Sequence, residues 1–349
     1  MPFSPTELEH PIMQAPMGGG ASTPALAAAV SEAGGLGFLA AGYLTPAAVR
    51  ADVESLRRLT GRPFGVNLFA PPQPVPDPLA VERYAHALAE RYGAEVGAPR
   101  HDDDGWEEKL ALLAELRVPV VAFTFGCPEI ADVERLHAAG AAAWITVTTP
   151  EEARAAERAG ADALVVQGVE AGGHRATFDD TQPNDLGLLA ALQLVAATSA
   201  LPLVATGGLA TGRAVAAVLA AGAVAAQLGT AFMLTPESAT AESHRRALAE
   251  DGETALTRAF TGRTARGIVN RFQREHGPGA PLGYPDVHHV TAPLRKAARE
   301  RGDAGGFHLW AGQAHSLAEP VPAAELVRRL AAEARAALRD ASARRASPR

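Results

Sequence analysis

The segment Gln167-Gly-Val-Glu-Ala-Gly-Gly-His174-Arg175 ends a glycine-rich loop with one imidazole beside one guanidinium. Histidine exchanges a proton near neutral pH, which suits a general base or a hydrogen-bond donor to a developing anion. His174 is therefore the candidate catalytic residue. Arg175 could attract an anionic substrate or equally close a surface salt bridge, and Glu170 reads as a carboxylate that orients the loop. Other polar residues end short apolar runs abruptly: Gln14, Asn67, Gln167, Thr206-Gly207-Gly208, and Gln227 before Leu228-Gly229-Thr230. An amide both donates and accepts, which matches the edge of a flat heterocycle, although any single one of these serves as well to tie down a loop. Glycines at 207, 208 and 229 let backbone N–H groups approach a phosphate. There is no Gly-x-Gly-x-x-Gly at a strand-to-helix turn and no Gly-x-x-x-x-Gly-Lys-Ser/Thr, so one phosphate is a simpler expectation than a dinucleotide or nucleotide triphosphate.

These residues need a frame. Eight short runs read as strands, at Pro11–Gln14, Leu36–Ala40, Phe64–Leu68, Pro119–Thr124, Ala143–Val147, Ala163–Gln167, Leu203–Ala205 and Ala223–Leu228, with helical segments between them. Several helices stop at glycine (Gly35, Gly140, Gly160, Gly222), and Thr45-Pro46 and Thr149-Pro150 read as capped starts. Eight evenly spaced βα units predict a parallel (β/α)8 TIM barrel rather than an open sheet, with the site at the C-terminal ends of the strands. There the phosphate position belongs to the loops after strands seven and eight. Thr235 to Gln313 loses apolar periodicity, and an amphipathic pattern returns from Pro322. The expected organisation is a barrel of 1–234 plus 314–349, with a smaller insertion domain at 235–313, between strand eight and the last helix, capping the substrate side.

Composition excludes several classes. A net charge of −7 with interspersed signs argues against nucleic acid, and no apolar run reaches the length of a membrane span. The single cysteine, Cys127, fits a reducing compartment and reads as a packing residue; the N-terminus carries no leader pattern, so the expectation is a cytoplasmic protein. His276, His288, His289, His308 and His315 cluster late in the chain without metal-ligand spacing, so no metal is expected. The short basic tail Arg344–Arg349 is given no function. A homodimer is allowed but not required.

Seven blocks resemble motifs of the nitronate monooxygenases: Pro11-Ile-Met-Gln-Ala-Pro-Met-Gly18, Gly37-Phe-Leu-Ala-Ala-Gly-Tyr43, Gly65-Val-Asn-Leu-Phe69, Gln167 to His174, Ala226-Gln-Leu-Gly-Thr-Ala-Phe232, Thr261-Gly-Arg-Thr-Ala-Arg-Gly267 and Leu309-Trp-Ala-Gly-Gln313. The tyrosine-bearing second block is similar to the class I branch. The resemblance implies non-covalent FMN, with Asn67, Gln167, Gly172, Gly208 and Gln227 to Thr230 as its contacts and His174 as the catalytic histidine. Gln14 and Gly207 join that set from the rim read above. It also implies oxidation of alkyl nitronates, such as propionate 3-nitronate, with O2 to a carbonyl compound and nitrite. The alternative is an NAD(P)H-dependent flavin reductase, of the enoyl-acyl-carrier-protein reductase or quinone reductase kind. Two positions depart from the pattern: Ala176 stands where glycine usually follows His-Arg, and His288 where asparagine is expected.

Overall fold

The computed structural model describes residues 2–93, 96–182 and 184–346; the last three residues of the basic tail lie outside them. The barrel strands are β1 (Ile12–Gln14), β2 (Phe38–Ala40), β3 (Gly65–Phe69), β4 (Val120–Thr124), β5 (Ala142–Val147) and β6 (Ala163–Gln167), then β8 (Leu203–Thr206) and β9 (Ala225–Leu228). They form one parallel sheet in the order β1-β9-β8-β6-β5-β4-β3-β2. Met13 bridges Leu36 in parallel, with Gln14 N donating to Leu36 O at 3.0 Å, and this joins β1 to the approach of β2 and closes the ring. The (β/α)8 barrel expected from the spacing is the fold observed.

The surrounding helices are α1 (Pro24–Glu32), α2 (Pro46–Leu59), α3 (Pro78–Tyr92), α4 (Trp106–Glu115), α5 (Ile130–Ala138), α6 (Pro150–Arg158), α7 (Leu188–Ala196) and α8 (Gly212–Ala220). Local chemistry sets their ends. Thr45 and Thr149 accept the N–H of Ala48 and Glu152 ahead of a proline at the first turn. Gly34, Gly140, Gly160 and Gly222 close helices at positive φ, where a side chain is disfavoured. Among the described residues no helix is long and apolar enough to cross a membrane.

Strand pleat divides the core into two layers. Met13, Phe38, Val120, Trp144, Val165, Val204 and Ala225 fill the barrel interior, while Ile12, Leu39, Val66, Val121, Ile145, Val166 and Ala226 pack outward under the helices. Because the side-chain period of a strand is two, this parity decides which strand-end residues look into the barrel mouth.

Between β9 and the last helix, α12 (Ala323–Ala346), lie α9 (Glu242–Ala249), β10 (Thr254–Thr257), β11 (Ala265–Ile268), α10 (Arg271–His276) and α11 (Asp286–Glu300). α12 then packs on α8 and α1. Weak apolar periodicity in this stretch did not mean weak packing. Phe260, Phe272, Val287, Val290 and Leu294 bury against Val81, Tyr84 and Leu88 of α3. A strand absent from the sequence reading, β7 (Gly173–His174), completes a three-stranded sheet with β10 and β11, setting His174 opposite Ala265 and Gly173 opposite Arg266.

Candidate active site

The pleat turns Asn67, Thr124, Thr146, Gln167, Thr206 and Gln227 toward the mouth of the barrel, and all of them line a cavity of about 420 Å³. Thr124 and Thr146 were not singled out in the sequence, although they share the parity of the amides. Gln14 is the exception. It has the outward parity of Ile12, is fully buried, and does not line the cavity. Its Oε1 accepts the Phe38 N–H at 3.0 Å and its Nε2 donates to Ser22 Oγ at 2.8 Å, so it fastens β1 to β2 where the barrel closes. Gln14 ends its strand as Gln167 does, but the pleat turns it away from the mouth rather than into it.

The glycine loops lie where expected. Gly207 and Gly208 have φ of 121° and 66°, and both line the cavity with Leu228, Gly229 and Thr230. Among the described residues, no protein acceptor takes the N–H of Gly208, Leu209, Gly229 or Thr230. Unmet donors on glycine-rich loops fit an anionic group such as a phosphate. Thr230 Oγ1 accepts the Gly312 N–H at 3.0 Å. Gly172 sits so close to the chain after β11 that an added Cβ would meet Ala311 C and Gly312 N at 2.5 Å.

Gln167 clamps the His174 loop: its Oε1 accepts from Arg175 Nη1 and Ala176 N, both at 2.9 Å, and its Nε2 donates to His174 O at 3.1 Å. Glu170 accepts the Leu188 N–H at the start of α7, the orienting role read for it. Arg175 is 2% exposed and donates to Gln167 Oε1 and Gly168 O, so neither a surface salt bridge nor a substrate contact describes it. Ala176 is fully buried and adopts no positive φ.

His174 faces the cavity between Phe125, Tyr284 and Trp310, with ring centroids 5.5, 6.1 and 5.4 Å away. Its Nε2 lies 2.9 Å from Thr261 Oγ1, which leaves Nδ1 for a ligand. Burial, reinforced by the Arg263 and Arg295 guanidiniums, pushes its pKa down to about 3. The imidazole is therefore neutral at physiological pH. Arg263 stacks over Phe125 at 4.1 Å and donates to Arg175 O and Thr177 O, holding the loop that carries the histidine.

The far wall comes from α11 and the chain after it, and sequence reasoning missed most of it. Tyr43, the last residue of the second motif block, stacks on His288 with centroids 4.1 Å apart. His288, one of the departures, accepts from Arg295 Nη2 at 3.1 Å, and burial pushes its pKa down to about 2. His288, Ala292, Arg295 and Arg299 repeat at helical spacing along one cavity-lining face, a signal present in the sequence. Of the other late histidines, His276 meets Tyr92 OH and His289 meets Asp102 away from the cavity, whereas His308 lines it beside Arg295 and Arg299, and His315, also a lining residue, contacts the carbonyls of Leu248 and Gly252. Cys127 is half-buried among the helices, with its pKa raised by burial to about 11, and does not line the cavity.

A profile of the nitronate monooxygenase family matches residues 4–333. The chain belongs to that family. It is 44% identical over 344 residues to a nitronate monooxygenase of Pseudomonas aeruginosa, covering 94% of this chain and 97% of the relative. Among solved structures it is similar to a nitroalkane oxidase from Streptomyces ansochromogenes, with a TM-score of 0.93, 55% identity and coverage of 97% of this chain and 99% of the other. It is also similar to FabK from Thermotoga maritima, with a TM-score of 0.77, 27% identity and coverage of 97% and 96%. Membership of the nitronate monooxygenase family makes the protein an oxidoreductase, and the Gln167–His174 loop is the part of it where sequence motif and cavity geometry meet.

Proposed function

We propose that the protein is an FMN-dependent nitronate monooxygenase that oxidises alkyl nitronates, propionate 3-nitronate among them, with O2 to a carbonyl compound and nitrite. The observation that supports this reading best is the lining of the cavity: inward polar strand ends and glycine loops on one side, neutral His174 on the other, and no Asp or Glu among the lining residues. Such a wall suits a flat heterocycle, its phosphate and an anionic substrate. Asn67, Gln167, Gly172, Gly207, Gly208 and the run Gln227 to Thr230 would hold FMN; Gln14 is left out of that set for the reason given by its direction. When bound, FMN supplies the electron transfer that connects the nitronate to O2.

The chain's own residues bind, orient and exclude water. With the Thr261 hydroxyl donating to Nε2, the His174 Nδ1–H donates to a nitronate oxygen; the opposite tautomer would accept a proton from a neutral nitroalkane. Residues 235–313 close the substrate side over the barrel mouth. Aerobic nitrite release from propionate 3-nitronate, measured with and without NADH, tests the reading, which expects release without NADH. Anaerobic bleaching of the flavin by NADH, with no nitrite from nitronate, would instead favour the reductase reading that the likeness to FabK keeps in view. His174→Asn is expected to keep the bound-flavin absorbance while nitrite release falls roughly a hundred- to ten-thousandfold. Unchanged turnover would remove His174 from this role.

A further inference from the structure

Burying a guanidinium is costly unless an opposite charge accompanies it. Arg295 is 6% exposed, and every partner it has is neutral. Its Nε donates to Thr291 Oγ1 at 2.9 Å, its Nη2 to His288 O at 2.9 Å and His288 Nδ1 at 3.1 Å, and its Nη1 approaches His308 Nδ1 at 3.3 Å. Arg299, one turn further along α11, reaches the other ring nitrogen of His308 at 3.4 Å and lies over the Phe307 ring at 5.3 Å. A neutral imidazole offers one lone pair and one N–H. His308 therefore satisfies only one of the two guanidiniums that pinch it. The cavity lining includes Arg295 and Arg299 and no Asp or Glu; Lys296, also in the lining, is already paired with Glu300 at 3.9 Å.

We propose that Arg295, braced between His288 and His308, is the anion anchor of this cavity and sets its preference for nitronates over the neutral nitroalkanes that are their conjugate acids. The proposal rests on the functional reading above. A nitronate is planar and carries one negative charge over two oxygens, so it supplies both the missing counter-charge and the missing acceptor; a nitroalkane supplies neither charge nor a strong acceptor. Placement agrees with this. His308 packs on Trp310 at 5.0 Å and Trp310 on His174 at 5.4 Å, so the anchor and the histidine are separated by a short chain of rings.

Arg295→Met is expected to raise KM for a nitronate roughly ten- to hundredfold while leaving KM for the parent nitroalkane within about threefold, and Arg295→Lys to recover part of the loss. Nitrate, a planar anion that cannot turn over, gives the second readout. Titrated into the wild-type holoenzyme it should perturb the flavin absorbance and compete with nitronate, and both effects should disappear in Arg295→Met. An unchanged nitronate-to-nitroalkane ratio together with unchanged nitrate affinity would overturn the proposal. If Arg295→Met does not fold, Arg295→Lys decides by the same two readouts. Should the wild type release nitrite from no nitronate, the functional reading fails by itself, and loss of nitrate binding on substitution still scores the anchor.

Discussion

Two buried arginines on either side of His174 are solved by opposite means. Arg175, on the barrel loop, leaves Nε and Nη2 without hydrogen-bond partners, yet Glu152, Glu170 and Asp180 lie near enough to oppose the desolvation that pushes it down to about 10. Arg295, on α11, has neutral acceptors on Nε, Nη1 and Nη2 but, among the described residues, no carboxylate that opposes its burial, which likewise pushes it down to about 10. The first is compensated in charge and short of hydrogen bonds; the second has an acceptor near each nitrogen, one of them shared with Arg299, and lacks the counter-charge. Arg175 does not line the cavity and Arg295 does. The barrel side of the site therefore carries charge that holds structure, and the α11 side carries charge left over for a ligand.

The largest expected effect lies on the compensated side. Glu152 accepts from Thr148 N, Thr148 Oγ1, Thr177 Oγ1 and Phe178 N, so it ties α6 to the loop that follows His174 and also faces Arg175. Glu152→Ala should lower stability by about 3–5 kcal/mol, read from the urea midpoint, because it leaves four donors unmet and removes one of the carboxylates that offset the burial of Arg175. A loss below about 1 kcal/mol would break the comparison by showing that Arg175 does not depend on this carboxylate.

Next in size comes acid. Burial, aided by Arg263, Arg295 and Arg299, lowers His174 to about 3, His244 to about 4 and His288 to about 2, and carries His308 well below its usual range. In the unfolded chain these groups protonate near pH 6.5. Between that pH and the depressed folded values the unfolded state binds more protons, so stability is complete above about 6.5 and falls as the pH drops through the window. Melting temperatures should decline from pH 7.5 to pH 5, and nitrate should recover part of the decline. A flat profile over that range would mean that the wall is not held neutral.

The barrel was legible because its signals are local. Alternating apolar runs, threonine caps before proline and glycine stops each act within a few residues, and the barrel strands observed lie within two residues of those read at every end. The site was half legible. Residue type at a strand end suggested Gln14 as readily as Gln167, and only the parity of the pleat, anchored by Met13 inside and Ile12 outside, separates them. β7 is two residues long and exists through pairing with β11, far away in the chain, so no window of sequence carries it. The cationic wall was overlooked for a different reason. The late histidines were weighed as metal ligands, whereas two of them, His288 on α11 and His308 beyond it, meet the arginines of α11.

The two smallest effects test the seam between the sides. Gly172→Ala drives a Cβ to 2.5 Å from the backbone of Ala311 and Gly312, where no side chain can yield, so about 1–3 kcal/mol of stability should be lost. An unchanged melting temperature would show that the loop and the chain beyond β11 separate freely. Ala176→Gly is subtler. The resemblance leads one to expect glycine there, yet Ala176 has no positive φ, is fully buried and gives its N–H to Gln167. Glycine would add freedom to the unfolded chain and remove a packed methyl, costing up to about 1 kcal/mol with turnover nearly unchanged. A gain in stability would mean that the alanine strains the loop carrying His174, and that the departure from the family pattern is felt at the active site after all.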